Sequence, residues 1–185
     1  MESVAAQASR ARLKVGLVSD THGHFEPRLE ALFAGCDLIL HAGDVVKPAT
    51  LSELARLAPV KAVRGNVDEG TSLEGLPEVA RLDLGSLRGL LVHEIGSPAR
   101  LSPRLRREVA RRRPDLVVHG HSHRPGARFA EGLLFVNPGS AGPRRFSLPR
   151  AAGLLEVEGR TARVRLVDLD TPGLALLEPP LEFCL

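Results

Sequence analysis

Apolar residues in this chain come in short blocks, and most blocks run into a cluster of polar residues. Lys14 to Val18 reads as a short buried strand that ends in Ser19-Asp20-Thr21-His22-Gly23. A helix is expected next, from about Glu26 to Phe33. Asp37 to Leu40 is a second apolar strand, ending in His41-Ala42-Gly43-Asp44. Pro48 opens a helix at a position where its missing backbone N–H is tolerated. Val60 to Val63 is a third strand, followed by Arg64-Gly65-Asn66. Ala80 to Leu84 and Leu87 to Val92 flank the turn pair Gly85-Ser86 and predict a hairpin leading to His93. Ser102-Pro103 caps and starts a helix that Pro114 stops after about Arg113. Leu116 to Val118 is another strand, and His119-Gly120-His121-Ser122-His123 follows it.

Beyond that point helices give way to hairpins. Ala127 to Val136 turns at Glu131-Gly132, and Gly153 to Val157 pairs with Thr161 to Val167 across Glu158-Gly159-Arg160. Strand-helix units first and hairpins later predict an α/β fold. The number of strands is too large for one small sheet. Two mixed sheets packed face to face, with helices on both outer faces, fit best. Residues 1–12 lack the apolar middle of a signal peptide and read as a flexible tail. Residues 13–170 read as one domain, and 171–185, rich in Pro and Leu, as a segment packed on it.

Composition narrows the classes. The chain has 185 residues, 43% hydrophobic and 25% charged, which suits one globular domain with a sizeable core. Only 3% are aromatic, with no Trp or Tyr, which counts against a binder that stacks nucleic-acid bases on rings. The net charge of +3 is a mild field that attracts anions without identifying one. Two cysteines make no disulfide framework, so a reducing, cytoplasmic setting is expected. Nothing in the sequence resembles a membrane span.

The polar clusters carry the chemistry. Asp20 and His22 follow the first strand, Asp44 the second, Asn66 the third, His93 a later one, and His121 and His123 the last of the series. Sheets of this kind present their chemistry at the carboxyl ends of strands. Residues two apart on extended backbone share a face, so His121 and His123 would aim into one space if the segment stays extended past Gly120. Gly43, Gly65 and Gly120 each precede one of these residues, where the backbone must turn and approach an ion closely.

In their order, Ser19-Asp20-Thr21-His22, Gly43-Asp44, Gly65-Asn66-Val67-Asp68, His93 and Gly120-His121-Ser122-His123 resemble the calcineurin-like metallophosphoesterases, specifically their small bacterial and archaeal phosphodiesterase branch. Asn137-Pro138-Gly139-Ser140 also looks like a loop of that branch. The resemblance covers roughly Leu13 to Asp170. It implies a four-layer sandwich and a two-metal site. Asp20, His22, Asp44 and His123 would hold one ion, and Asp44, Asn66, His93 and His121 the other, with Asp44 bridging. Asp44, Asn66 and His93 would belong to the catalytic group. The activity implied is hydrolysis of phosphodiesters, or of activated phosphomonoesters, through a hydroxide bridging the metals.

Mixed imidazole and carboxylate ligands suit manganese first, with nickel, iron, cobalt or zinc as alternatives. The expected partner is a small phosphoester. Nucleic acid is not expected, and a homo-oligomer stays open. Two other readings stand beside the enzyme: a protein-binding scaffold on the same fold, and a nuclease. A scaffold would show a broken ligand set, and a nuclease would need an added DNA-binding region.

Two positions depart from the family pattern. Larger relatives carry a histidine after the motif asparagine, where it helps protonate the leaving group, and this chain has Val67. The branch often has glycine after the histidine at 93, and this chain has Glu94. His24 is either a loop histidine facing solvent or a substitute for that acid. His41 is either a partner behind Asp44 or a satisfied core histidine. Ser140 either touches substrate or serves a plain turn. The arginine-rich stretch from Arg104 to Arg113 reads as a solvated helix face.

Overall fold

The computed structural model describes residues 12–145 and 147–185; residues 1–11, where the flexible tail is expected, lie outside the described residues. The first sheet has six strands. At its centre β1 (Leu13–Val18) runs parallel to β2 (Leu38–His41), and β2 runs parallel to β3 (Val60–Ala62). On the other side of β1 the hairpin strands β11 (Ala151–Glu158) and β12 (Thr161–Asp168) continue the sheet antiparallel. The last strand, β13 (Leu181–Cys184), pairs with β12 at the edge.

The second sheet has the order β4 (Val79–Leu84), β5 (Leu87–Val92), β8 (Leu116–Val118), β10 (Leu133–Asn137) and β9 (Gly126–Ala130). Here β5, β8 and β10 are parallel, and the two outer strands pair antiparallel. Both sheets are therefore mixed. A small ribbon of β6 (Gly96–Ser97) and β7 (Arg100–Leu101) precedes the third helix.

One apolar cluster joins the two sheets. It includes Val15, Leu17, Leu40 and Leu155 from the first, and Leu82, Leu91, Val118 and Val136 from the second. A second cluster packs residues of α1 (Arg28–Leu32) and α2 (Pro48–Ala55) against Val18, Ile39 and Leu154. A third packs Leu105 of α3 (Pro103–Arg112) against Leu90, Val117 and Phe135. Strand residues alternate between these clusters, as period-two burial on both faces requires.

The expected elements form, with local differences. The first helix covers only Arg28–Leu32, because Pro27 sits at its N-cap and the chain leaves helical geometry at Phe33. The third helix starts where expected: Ser102 Oγ accepts from Leu105 N at 3.4 Å, and Arg113 ends it in a left-handed conformation. The ribbon of β6 and β7 has no counterpart in the sequence reading, since two-residue strands leave no periodic signal. In consequence the carboxyl ends of β1, β2, β3, β5 and β8 meet at one rim of the sandwich.

Candidate metal centre

All seven residues singled out at strand ends lie in contact across this rim. His123 Nε2 lies 3.2 Å from Asp20 Oδ1 and 3.4 Å from His22 Nε2. His22 Nε2 lies 3.9 Å from Asp44 Oδ2, and His93 Nε2 lies 3.3 Å from Asp44 Oδ1. Asn66 Oδ1 is 3.2 Å from both His93 Nε2 and His121 Nδ1. His121 also reaches Asp20, through its backbone N–H to Oδ2 at 3.1 Å, so all seven residues form one connected group. Two overlapping sets, Asp20-His22-His123 and Asp20-Asp44-His93, place their ligand atoms within 4.8 Å of one another.

The backbone differs from expectation at the histidine loop. His121 and His123 have φ of 68° and 56°, so the segment past Gly120 is not extended, and shared strand face is not what brings the two rings in. Asp20, His22 and Asp44 are also left-handed, with φ of 53°, 48° and 56°. Five of the nine non-glycine residues with positive φ among the described residues thus belong to this group. Such conformations cost energy and persist only where the surroundings enforce them.

Those surroundings are visible. Asp68, fully buried, accepts from the N–H groups of Val45 (3.2 Å), Val46 (2.7 Å) and Gly65 (2.8 Å), and so ties the Asp44 turn to the Asn66 turn. Asn137 donates to Gly120 O and Ser122 Oγ, both at 3.0 Å, and pins the histidine loop. Ser140 Oγ donates to Asp20 O at 2.9 Å. The Asn137–Ser140 loop therefore grips backbone. Ser19 Oγ donates to Asp20 Oδ2 at 2.6 Å. Sequence reasoning gave Ser19, Asp68 and Asn137 no role. Their only signal was a buried-type polar residue beside each strand end.

The glycines are explained by contact with side chains. A Cβ at Gly65 would lie 2.0 Å from Asp44 Oδ1, and one at Gly120 would lie 1.9 Å from Ser19 Oγ. At Gly43, where φ is +91°, a Cβ would lie 2.7 Å from His93 Nδ1.

His41 lies behind the group. Its Nδ1 accepts from Gly43 N at 3.2 Å, so the proton belongs on Nε2, which faces Thr21 Oγ1 at 3.0 Å. Complete burial pushes its pKa down to about 4, against the pull of Asp20 and Asp68. His41 is a neutral imidazole that steadies the backbone between Asp20 and His22. His24 is exposed, with Nε2 3.8 Å from Glu26 Oε2. Val67 is also exposed, and its N–H donates to Asp44 Oδ1 at 3.1 Å.

Burial raises the Asp20 carboxyl, but the adjacent His123 ring, the His93 charge and the Ser19 hydroxyl together hold it below the ordinary carboxylate range. His22 is lowered by burial first and by the Arg145 guanidinium second, against Asp44 and Asp20. A cleft of about 300 Å³ opens beside Asn66 and His93, lined also by Arg64, Glu69, Glu94 and Arg104.

The donors fit a borderline divalent cation. Among the described residues Asp20 Oδ1 is buried with no directed hydrogen bond, although His123 Nε2 lies 3.2 Å away, and the Nε2 atoms of His22 and His123 converge on the same space. A cation there would satisfy all three, and the mixture of imidazole nitrogen and carboxylate oxygen suits a transition metal.

Comparisons with known proteins agree with this chemistry. Residues 13–160 match the calcineurin-like phosphoesterase superfamily domain. A probable metallophosphoesterase of Methanothermobacter thermautotrophicus is 31% identical over 163 residues, covering 85% of this chain and 94% of that one. A predicted phosphoesterase of Streptococcus pneumoniae superposes with a TM-score of 0.69 at 25% identity, covering 94% of this chain and 98% of that one. Vps29 of Entamoeba histolytica, solved as a complex with zinc, shares the fold with a TM-score of 0.73 at 21% identity, covering 92% and 99%. With a match over most of its length, two mixed sheets, and clustered nitrogen and oxygen donors at the rim, the chain belongs to the calcineurin-like phosphoesterase superfamily.

Proposed function

We propose that this protein hydrolyses phosphodiesters, or activated phosphomonoesters, with two divalent transition-metal ions. The observation that carries the reading is the convergence of Asp20, His22, Asp44, His93 and His123, with a buried carboxylate oxygen that among the described residues receives no directed hydrogen bond. Asp20, His22, Asp44 and His123 hold one ion, and Asp44, Asn66, His93 and His121 the other. Manganese is the first expectation.

Asp44 is the shared ligand. Asp20 belongs to both geometric sets, but its Oδ2 is already occupied by Ser19 Oγ and His121 N, which leaves one oxygen free. The two oxygens of Asp44 face opposite halves: Oδ2 faces His22 and Oδ1 faces His93. When bound, such a pair neutralises phosphoryl oxygens and acidifies water. The residues of the chain fix the donor positions. His93 Nδ1 sits 2.7 Å from Ala42 O, which sets its proton on Nδ1 and leaves Nε2 as a donor atom for a cation. Val67 carries no proton to a leaving group. A cytoplasmic setting fits the two free thiols, Cys36 and Cys184. Among the described residues no helix is long and apolar enough to cross a membrane.

The test is turnover of a panel of diesters and monoesters by metal-stripped protein, with single metals added back, together with metal stoichiometry. Two ions per chain and metal-dependent turnover are expected. Asp44→Asn should weaken both ions, and His22→Ala chiefly one. Two full ions in Asp44→Asn would refute the bridging role. No turnover with any metal would favour the protein-binding scaffold.

A further inference from the structure

The turn that carries Asp20 and His22 is held from two sides. On one side Asp20 N donates to Gly43 O and His22 N to Asp44 O, both at 3.0 Å. On the other side lies the segment from Ser140 to Gly142. Ser140 Oγ donates to Asp20 O at 2.9 Å, and Ala141 N donates to Ser19 O and Gly142 N to Asp20 O, both at 3.1 Å. A Cβ at Gly142 would lie 2.5 Å from Asp20 O and 2.7 Å from Thr21 O, so only bare backbone can approach this closely. Asp20 and His22 are left-handed, with φ of 53° and 48°, and a turn of that kind relaxes unless its surroundings hold it.

Arg150 fastens the second side from behind. Its Nε donates to Gly142 O at 2.9 Å and its Nη2 to Ala141 O at 3.2 Å. The same guanidinium pairs with buried Glu26, and its Nη1 lies 3.5 Å from Asp170 Oδ1. Glu26 lies four residues after His22 and accepts from Arg28 N at 3.2 Å, so the ion pair ties the segment to the chain leaving the turn. The Arg150 backbone is fixed as well. Its O accepts from Leu169 N at 2.8 Å, and its neighbour Ala151 donates through N to Ser140 O at 2.8 Å. None of these contacts reaches Asn66 or His93, on the other half of the centre.

We infer that Arg150 is a positioning residue for one half of the metal centre: by clamping Ala141 and Gly142 it keeps the Asp20–His22 turn in the geometry that binds the ion assigned to Asp20, His22, Asp44 and His123. A planar guanidinium can serve two carbonyls and a carboxylate at once, and an ammonium on a flexible stem cannot span the same three acceptors. This rests on the two-metal reading, and one of the two measurements below needs no metal.

Equilibrium dialysis against manganese gives two affinities in the wild type, and His22→Ala identifies the one that belongs to the His22 half. Removal of the clamp by Arg150→Met, with Glu26→Gln so that no buried charge is left alone, should weaken that ion on the order of 10- to 100-fold and leave the other near wild type. Arg150→Lys should show a smaller loss of the same ion, and decides by the same criterion if the double variant does not fold. Gly142→Ala, which pushes the segment off the turn while Arg150 stays, should lose the same ion. Val164→Ala, a cavity in the core far from this segment, should lower Tm and leave the ratio of the two affinities unchanged.

Amide hydrogen exchange on the metal-free protein is the second measurement. Losing a charge-assisted hydrogen bond should speed exchange at Ala141 and Gly142 by roughly 10-fold or more in the Arg150 variants. Wild-type affinity for the His22-side ion in the Arg150 variants, an equal loss of both ions, or the same selective loss in Val164→Ala would overturn the assignment. If the wild type binds no ion while exchange at Ala141 and Gly142 still depends on Arg150, the two-metal reading falls and the clamp on the turn stands.

Discussion

Replacing Gly65 by alanine separates contact from conformation. Gly65 has φ −99° and ψ −176°, an extended geometry that alanine adopts without strain. The added Cβ would nevertheless lie 2.0 Å from Asp44 Oδ1, 2.4 Å from Asp44 N and 2.8 Å from Asp44 Cγ. A carboxylate can rotate away; a backbone nitrogen cannot. Carbon contacts settle near 3.5 Å, so the Asp44 and Gly65 turns must part by about 1 Å. Asp68 holds Val45 N, Val46 N and Gly65 N at once, and it cannot follow both turns. Overpacking of this kind costs roughly 1–3 kcal/mol, or roughly 2–12 °C in Tm for a domain of this size. Loss of supporting contacts around a metal ligand lowers metal affinity on the order of 10- to 100-fold.

The comparison is Gly70→Ala. There φ is +71° and nothing lies within 4 Å of the new Cβ, so only backbone strain of about 1 kcal/mol is added. Thermal denaturation and equilibrium dialysis of both variants against manganese test the reasoning. Wild-type Tm and metal affinity in Gly65→Ala would refute it, as would an equal loss of metal in Gly70→Ala.

Asp68→Asn leaves one acceptor oxygen for three N–H donors and turns an amide NH₂ toward at least one of them, so denaturant titration should show a loss of about 3 kcal/mol. Val67→His places a proton donor beside Asn66; the preference for nitrophenyl over alkyl esters, which the missing acid should make large, should shrink, because a general acid contributes about 10²–10⁴-fold only where the leaving group needs a proton. His41 is held at about 4 from an ordinary 6.5, so between those values the unfolded chain binds more protons than the folded one. Its contribution is complete above pH 6.5 and is lost as pH falls toward 4, about 3 kcal/mol in all; His41→Gln should flatten the acid limb of stability against pH by that amount.

Much was legible in the sequence because apolar blocks and their polar endings are local signals. The runs Lys14 to Val18, Leu87 to Val92 and Leu116 to Val118 placed strands. Their endings named the residues that now stand together at one rim. What joins those endings is not local. Asp68 reaches back more than twenty residues to Val45 and Val46, and Ser140 holds a carbonyl 120 residues away. A sequence shows that such residues are polar, not which backbone they will meet. The left-handed turns at Asp20, His22, Asp44, His121 and His123 were hidden for the same reason. Aspartate and histidine do not announce positive φ; the packed surroundings impose it. Local periodicity therefore determined the strands and the chemical type of the site. Only the tertiary structure decided how backbone strain, buried hydrogen bonds and bare glycine contacts aim its donors, because those forces act between segments far apart in the chain.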